Sequence, residues 1–285
     1  MTPQFLALAT AIAYAGCYVT TRHGLACSNP MTAAYVAILV NTLLLWTAVF
    51  LTGGIPDVPI LALLLFIAAG LIQLVTRITA YTGVAHLGAS ITSTIQATNP
   101  LVSGTLAIIF LDEVATLTVF AGTGAVMIGV ILISWNPQRT RPYRLWELLF
   151  PLTGAFTAGV NHPIRRYALI LSDEPLFCCA IMGTAALVPM MLYMTNRKTR
   201  KVLILHQQSI PLFICTGIFE AIGIWILANA LSIGNVVTVA PIVATTPLWV
   251  VLGTLLFSRQ LEQVTFRNAL AAIFVVGGII AISIY

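Results

Sequence analysis

Glu220 stands in the middle of the apolar run PLFICTGIFEAIGIWILANA. A carboxylate that deep in an apolar medium costs several kcal/mol unless it faces a partner or water, which marks the position as functional by default. Gln73 lies 147 residues earlier, and Arg77 and Tyr81 follow it four and eight residues on. That spacing puts Gln73, Arg77 and Tyr81 on one face of a helix. If the two helices face each other, Arg77 and Glu220 flank one cavity. A guanidinium for a carboxylate and a carboxylate for an ammonium would hold a zwitterion. Without a ligand the two neutralise each other. The plainer alternatives are a protonated Glu220 bonded to a neighbouring helix and an Arg77 that snorkels to the membrane interface. Tyr14 and Tyr18, four apart, with Gln96, Trp225, Asn229, Thr245 and Trp249 could complete a half-polar, half-aromatic pocket. Singly, each of these is an ordinary packing or lipid-facing residue. Trp225 follows Glu220 by five residues and so turns onto a neighbouring face.

The elements that position these groups are apolar throughout. Of the 285 residues, 59% are hydrophobic and only 7% charged, and the mean hydropathy is +1.01. A soluble domain carries about 25% charged residues. The chain is therefore expected to be an all-α polytopic membrane protein. Ten runs of about 20 apolar residues can be counted, each enough for a hydrocarbon core of ~30 Å. They span about 4–25, 30–52, 58–83, 88–111, 115–135, 146–171, 174–195, 209–231, 234–257 and 264–284. Connections are short, so consecutive helices pack antiparallel.

The chain repeats itself. Pro100 and Pro247 are 147 residues apart, and Leu101 and Leu248, Phe110 and Phe257, and Thr118 and Thr265 superpose at the same offset. Nearer the start, Ala15-Gly16 and Arg22 match Ala158-Gly159 and Arg165 at an offset of 143. Spans one to five thus correspond to six to ten. Five is odd, so the second copy enters from the opposite side: two inverted five-helix repeats around a central cavity, residues 1–136 and 145–285, joined by 137–144. Pro100, Pro241 and Pro247 lie within spans, where proline removes a backbone bond and leaves a bend or hinge. Ala121, Ala125 and Gly129, like Gly277 and Ala281, recur every four residues and predict close helix packing.

The segment YTGVAHLGASITSTIQATNPLVSGTLAIIFLDEVATLTVFAGTGAVMIGVILIS resembles the EamA repeat of the drug/metabolite transporter superfamily. Glu113, Thr116, Gly122 and Gly129 stand where that pattern has a corner Glu, a Thr and glycines. The second copy departs from it, with Gln260 in place of the Glu and Ala269 in place of a Gly. The resemblance implies a secondary transporter and, among ten-helix members, looks most like the amino-acid and metabolite exporters, including YddG-like aromatic amino-acid exporters.

Most Lys and Arg residues fall on one side. Arg22, Arg139, Arg141, Arg144, Arg197, Lys198, Arg200, Lys201 and Arg259 lie in the odd-numbered loops, against Arg165 and Arg166 on the other side. The positive-inside rule then expects a multi-pass cell (inner) membrane protein with both termini extracytoplasmic. The resemblance pulls the other way, towards cytoplasmic termini. Trp135 and Trp146 suit an interfacial belt. Asp112-Glu113 is expected to cap the start of the fifth helix. His23, His86, His162 and His206 are scattered over four segments, so no metal site is expected. His162-Pro163 reads better as packing than as a gating element. The five cysteines read as small apolar residues and not as a disulfide framework. No phosphate-binding glycine loop is present, so the chain is no ATPase, and no clustered nucleophile, base or metal set suggests an enzyme. A structural or sensory membrane protein would not need a buried Glu.

The sequence thus predicts a non-enzymatic secondary exporter of small amphipathic metabolites, amino acids (aromatic or neutral) foremost, working by alternating access between inverted repeats. The alternative is a proton-coupled exporter of cationic drugs using Glu220, against which Arg77 argues. The expected partners are a small-molecule substrate and the lipid bilayer, with no cofactor, no metal and no nucleic acid. Monomer and homodimer both fit.

Overall fold

The computed structural model describes residues 2–134, 144–196, 202–257 and 266–283. Among them every regular element is helical. The helices are α1 (Pro3–Gly24), α2 (Pro30–Thr52), α3 (Ile60–Leu87), α4 (Ala89–Gln96), α5 (Asn99–Leu111), α6 (Leu117–Ser134), α7 (Leu149–Ser172), α8 (Pro175–Thr195), α9 (Ser209–Ile233), α10 (Val236–Val243), α11 (Thr246–Phe257) and α12 (Phe266–Ser283). A short 3₁₀ turn, Leu145–Leu148, precedes α7. Seven segments are long and apolar enough to cross a membrane, with α4–α5 counted as one and residues 236–253 of α10–α11 as another. Shorter apolar helices lie in α6 and α12. The polar residues Asn161, His162, Arg165 and Arg166 fall in α7.

Local chemistry sets the ends. Proline begins α1, α2 and α8, where its missing N–H costs nothing. The Asn29 side chain accepts the Thr32 N–H at 2.9 Å and caps α2. Gly88 has φ +89, a conformation that costs glycine nothing. It lets the long α3 reverse directly into α4.

The fourth and ninth spans are each broken. α4 ends and α5 begins around Ala97-Thr98; α10 ends and α11 begins around Ala244-Thr245. The two breaks are 147 residues apart, and each lies three residues before its proline. Pro100 and Pro247 therefore stand in the first turn of the following helix, where proline is well tolerated, and not at the discontinuity. The short arms have eight residues each, about 12 Å of helix. Ala97 and Asn99 at the first break and Ala244, Thr245 and Thr246 at the second are all buried. Pro241 sits inside the second short arm.

Packing repeats with the sequence. α1 lies along α9, and its counterpart α7 lies along α3. α2 against α9 is matched by α8 against α3, while α2 with α8 and α6 with α12 pair counterpart helices directly. Tyr14 meets Gly223 as Thr157 meets Thr76, the same pairing in each half. The close approach of α6 and α12 is made by Gly122 and Gly278; of the small residues expected there, Ala281 stands beside Gly122, while Gly277 has open space. A Cβ on Gly122 would stand 2.8 Å from the Gly278 carbonyl oxygen. Large apolar side chains face outward, Leu117 at 84% and Phe110 at 73% exposed, as a lipid-facing surface requires.

The Asp112-Glu113 corner differs from expectation. Asp112 ends α5 with φ +52, and α6 begins only at Leu117, too far on for either carboxylate to cap it. Glu113 reaches across to the other half instead. Its carboxylate accepts the N–H of Val236 at 2.9 Å and of Val237 at 3.0 Å, capping α10. Arg166 supports the same face by donating to the Leu231 and Ser232 carbonyls at the end of α9. On the opposite face Asn29 and Ser28 donate to the Val202 and Ile204 carbonyls. Trp135, the joining residues 137–143, Arg139, Arg141, Arg197, Lys198, Arg200, Lys201, Arg259 and Gln260 lie outside the described residues. Cys17, Cys178 and Cys179 are buried; Cys27 and Cys215 are exposed.

Candidate functional site

A cavity of about 110 Å³ opens where the two broken helices meet α1, α3, α7 and α9. Seven of the residues singled out in the sequence line it: Tyr14 and Tyr18 from α1, Gln73, Arg77 and Tyr81 from α3, Gln96 from α4 and Glu220 from α9. The four-residue spacing of Gln73, Arg77 and Tyr81 delivers all three to one wall, as an α-helix must.

Arg77 and Glu220 meet directly. Arg77 Nε lies 2.7 Å from Glu220 Oε1, with both side chains almost fully buried. Arg77 therefore does not snorkel. Its other two nitrogens face Asn41 of α2. With the Asn41 amide turned so that its oxygen faces the guanidinium, Oδ1 accepts from Nη2 at 2.7 Å and Nη1 at 3.3 Å. Two charges removed from water repay their desolvation only when geometry is good and remaining donors are satisfied. Asn41 supplies that satisfaction.

The rest of the wall is a polar network. Asn161 of α7 donates to Gln73 Oε1 at 3.0 Å and to the Ala69 carbonyl at 3.2 Å. Tyr18 donates to Gln96 Oε1. Asn99 donates to the Gln96 carbonyl at 2.9 Å. Cys17 Sγ lies 3.8 Å from the Tyr81 hydroxyl. Gly154 lets α7 approach Gln96, since any Cβ there would collide with the Gln96 amide.

Four expected contributors stand elsewhere. Trp225 is 44% exposed on the outer surface of α9. Asn229 donates to the Trp225 carbonyl in its own helix. Thr245 is buried, but its hydroxyl donates to the Ile242 carbonyl within the break, and its neighbour Thr246 lines the cavity instead. Trp249 packs against the buried cluster of Ala15, Val19, Val84, Ala89 and Val250.

The cavity also contains groups the sequence placed otherwise. Arg165 is taken above as a surface charge beside Arg166. α7 runs on to Ser172, so Arg165 lies within the bundle, 1% exposed, with Nη2 donating to the Ile224 carbonyl at 3.0 Å. Neither it nor Arg77 can report topology. His162, read above as a packing residue, lines the cavity with Asn161 and Arg165. The signal was present: Asn161, His162 and Arg165 share one helical face inside an otherwise apolar run, and Asn41 interrupts AILVNTLLL. Among the described residues no group of three His, Cys, Asp or Glu side chains could hold a metal.

Comparison with known proteins bears on this geometry. Residues 1–135 match the EamA-like transporter family. A solved structure described only as a crystal structure of a protein superposes with a TM-score of 0.74 at 12% identity, over 97% of this chain and 96% of that one. No curated protein matches the chain.

Proposed function

We propose, from the match of residues 1–135 to the EamA-like transporter family in a multi-pass membrane protein, that the chain exports small amphipathic metabolites, amino acids foremost, by alternating access between its two halves. The observation that carries this reading is the buried Arg77–Glu220 pair in a polar cavity bounded by both helix breaks. A cavity of that kind, with a few convergent polar groups, is the ordinary form of a small-molecule site. Both breaks reach it from opposite faces, so movement of either arm alters access from one side.

The size of the cavity favours small side chains over aromatic ones in this conformation. An engineered apolar cavity of roughly 150 Å³ holds benzene, and this one is smaller. The cationic-drug alternative is disfavoured by electrostatics, since Arg77 and Arg165 both line the wall against Glu220 alone among the described charges. The charge bias of the loops supports extracytoplasmic termini.

The test is flux of labelled neutral amino acids in reconstituted vesicles. Wild type is expected to carry them, and Glu220→Gln to carry at least about tenfold less, as loss of a charged hydrogen-bonding partner predicts. Unchanged flux in Glu220→Gln for every amino acid carried would make Glu220 structural.

A further inference from the structure

Arg77 is fully committed: Nε to Glu220, Nη1 and Nη2 to Asn41. Arg165 is not. Its Nη2 donates to a backbone carbonyl, its guanidinium faces Tyr14, Cys178 and Cys179, and its Nε is buried without a partner. Among the described residues no carboxylate pairs with it. Besides Arg77 Nε, which ion-pairs with Glu220 without hydrogen-bond geometry, the same cavity holds five more buried atoms without partners: Gln96 Nε2, His162 Nδ1, Asn99 Oδ1, Asn161 Oδ1 and Glu220 Oε2. Buried polar atoms are normally satisfied, and each orphan requires an explanation. Six lining one cavity describe the complement of a small polar ligand.

The charges decide which ligand. Arg77 and Glu220 cancel. With His162, Tyr14 and the Cys178 and Cys179 thiols neutral, Arg165 leaves the lining with one positive charge that no carboxylate offsets. An isolated buried cation costs far more than a paired one, so the missing partner is an anion.

We infer that Arg165, and not Arg77, seats the substrate, and that the group it seats is a single carboxylate. This rests on the export reading and refines it by moving the carboxylate off the Arg77–Glu220 pair. The Arg165 Nε and the Gln96 amide donate to the carboxylate. The polar 2-substituent of the substrate meets Asn99, Asn161 and the free oxygen of Glu220. A monoanion neutralises the cavity, whereas a zwitterion leaves the positive charge of Arg165 only partly offset. The carboxylate is therefore obligatory and the ammonium dispensable: a small 2-hydroxy acid binds at least as well as its amino acid.

The experiment is a thermal-shift series on the full-length protein in nanodiscs, using L-alanine, L-lactate, L-alanine methyl ester and isopropylamine. A ligand that binds only the folded state raises its melting temperature. In wild type the two acids are expected to raise it, and the ester and amine to leave it unchanged. Arg165→Gln should abolish the acid-dependent rise. Arg165→Lys keeps the charge but loses the planar fork, and should weaken the acids roughly tenfold. The wild-type series needs no variant, so misfolding of Arg165→Gln does not remove the test. An ester or amine that shifts wild type as much as the acids overturns the inference, as does an acid shift that survives in Arg165→Gln, or no acid shift at all in wild type. Vesicle flux separates the two claims. Acid binding with no flux of any amino acid sinks export and leaves the seat at Arg165. Amino-acid flux undiminished in Arg165→Gln does the reverse.

Discussion

The Glu113 carboxylate, at the α5–α6 corner of one half, accepts the Val236 N–H at the first turn of α10 in the other half, at 2.9 Å. With Val237 as a second donor, one side chain satisfies two of the N–H groups that a helix start leaves open. A negative charge also suits the positive end of the helix dipole. Glu113 is therefore a clasp between halves, holding the short arm of the ninth span.

Removing that clasp should cost what a lost cap costs. Glu113→Ala is expected to destabilise by about 1–2 kcal/mol, read as a fall of roughly 2–4 °C per kcal/mol in melting temperature. Glu113→Gln, which keeps one acceptor, should lose less. Equal losses in the two variants would mean that the acceptor oxygens do not matter and that packing alone holds the corner.

The Arg77–Glu220 pair should behave as a unit. Breaking a buried pair by removing one member leaves an uncompensated charge, at a cost of about 3–5 kcal/mol. Arg77→Met or Glu220→Met alone is thus expected to lower stability strongly, and the double variant to lose less than either single. Unfolding in detergent measures the coupling. Additive losses would show that the two groups do not depend on each other.

The skeleton of the fold was legible because apolar run length and turn residues are local signals. The span estimates and the helices agree to within a few residues over most of the described chain. The repeat offset located Pro100 and Pro247, yet the discontinuities fall three residues earlier, because proline is favoured just inside a helix start and the break must precede it. The cavity was legible where polar residues interrupt apolar helices at four-residue spacing, as in Gln73, Arg77 and Tyr81. It was misread at Arg165 although the expected sixth span, 146–171, already enclosed it, because a buried arginine and one that snorkels to the interface look alike until the side chain's partners are known. Asn41 escaped notice because its role depends on a helix remote in sequence. The partner of Glu113 is likewise a contact between halves that no local pattern encodes.

Gly122 and Gly278 carry the α6–α12 crossing by having no side chains. A Cβ on Gly278 would lie 2.6 Å from the Gly122 carbonyl oxygen. Gly122→Leu or Gly278→Leu is expected to destabilise by at least about 1–3 kcal/mol, the ordinary cost of overpacking. A Cβ on Gly124, in the same helix as Gly122, would meet nothing within 4 Å, so Gly124→Ala should be close to neutral. A melting curve for each variant checks the contrast, and equal effects at Gly122 and Gly124 would remove the crossing as the cause.

The two helix breaks are built alike, down to single atoms. Thr98 Oγ1 donates to the Ile95 carbonyl at 2.7 Å, and Thr245 Oγ1 donates to the Ile242 carbonyl at 2.8 Å; the two pairs are 147 residues apart. Each hydroxyl supports a carbonyl at the end of its short arm, and the inverted-repeat arrangement proposed above would bring the arms in from opposite faces. Thr98→Val and Thr245→Val keep the shape and remove the bond, for about 1 kcal/mol each. The sites share no partner, so their costs should add. Their consequences for access should be opposite, because each loosens a different arm. Cys17 lines the cavity and is buried, so it can report access once the exposed Cys27 and Cys215 are changed to Ser. With a membrane-impermeant thiol reagent, Thr98→Val is expected to speed Cys17 labelling from the face where α4 enters, and Thr245→Val from the face where α10 enters. If both variants speed labelling from the same face, the breaks are not paired gates, and the symmetry of their hydrogen bonds is structural inheritance only.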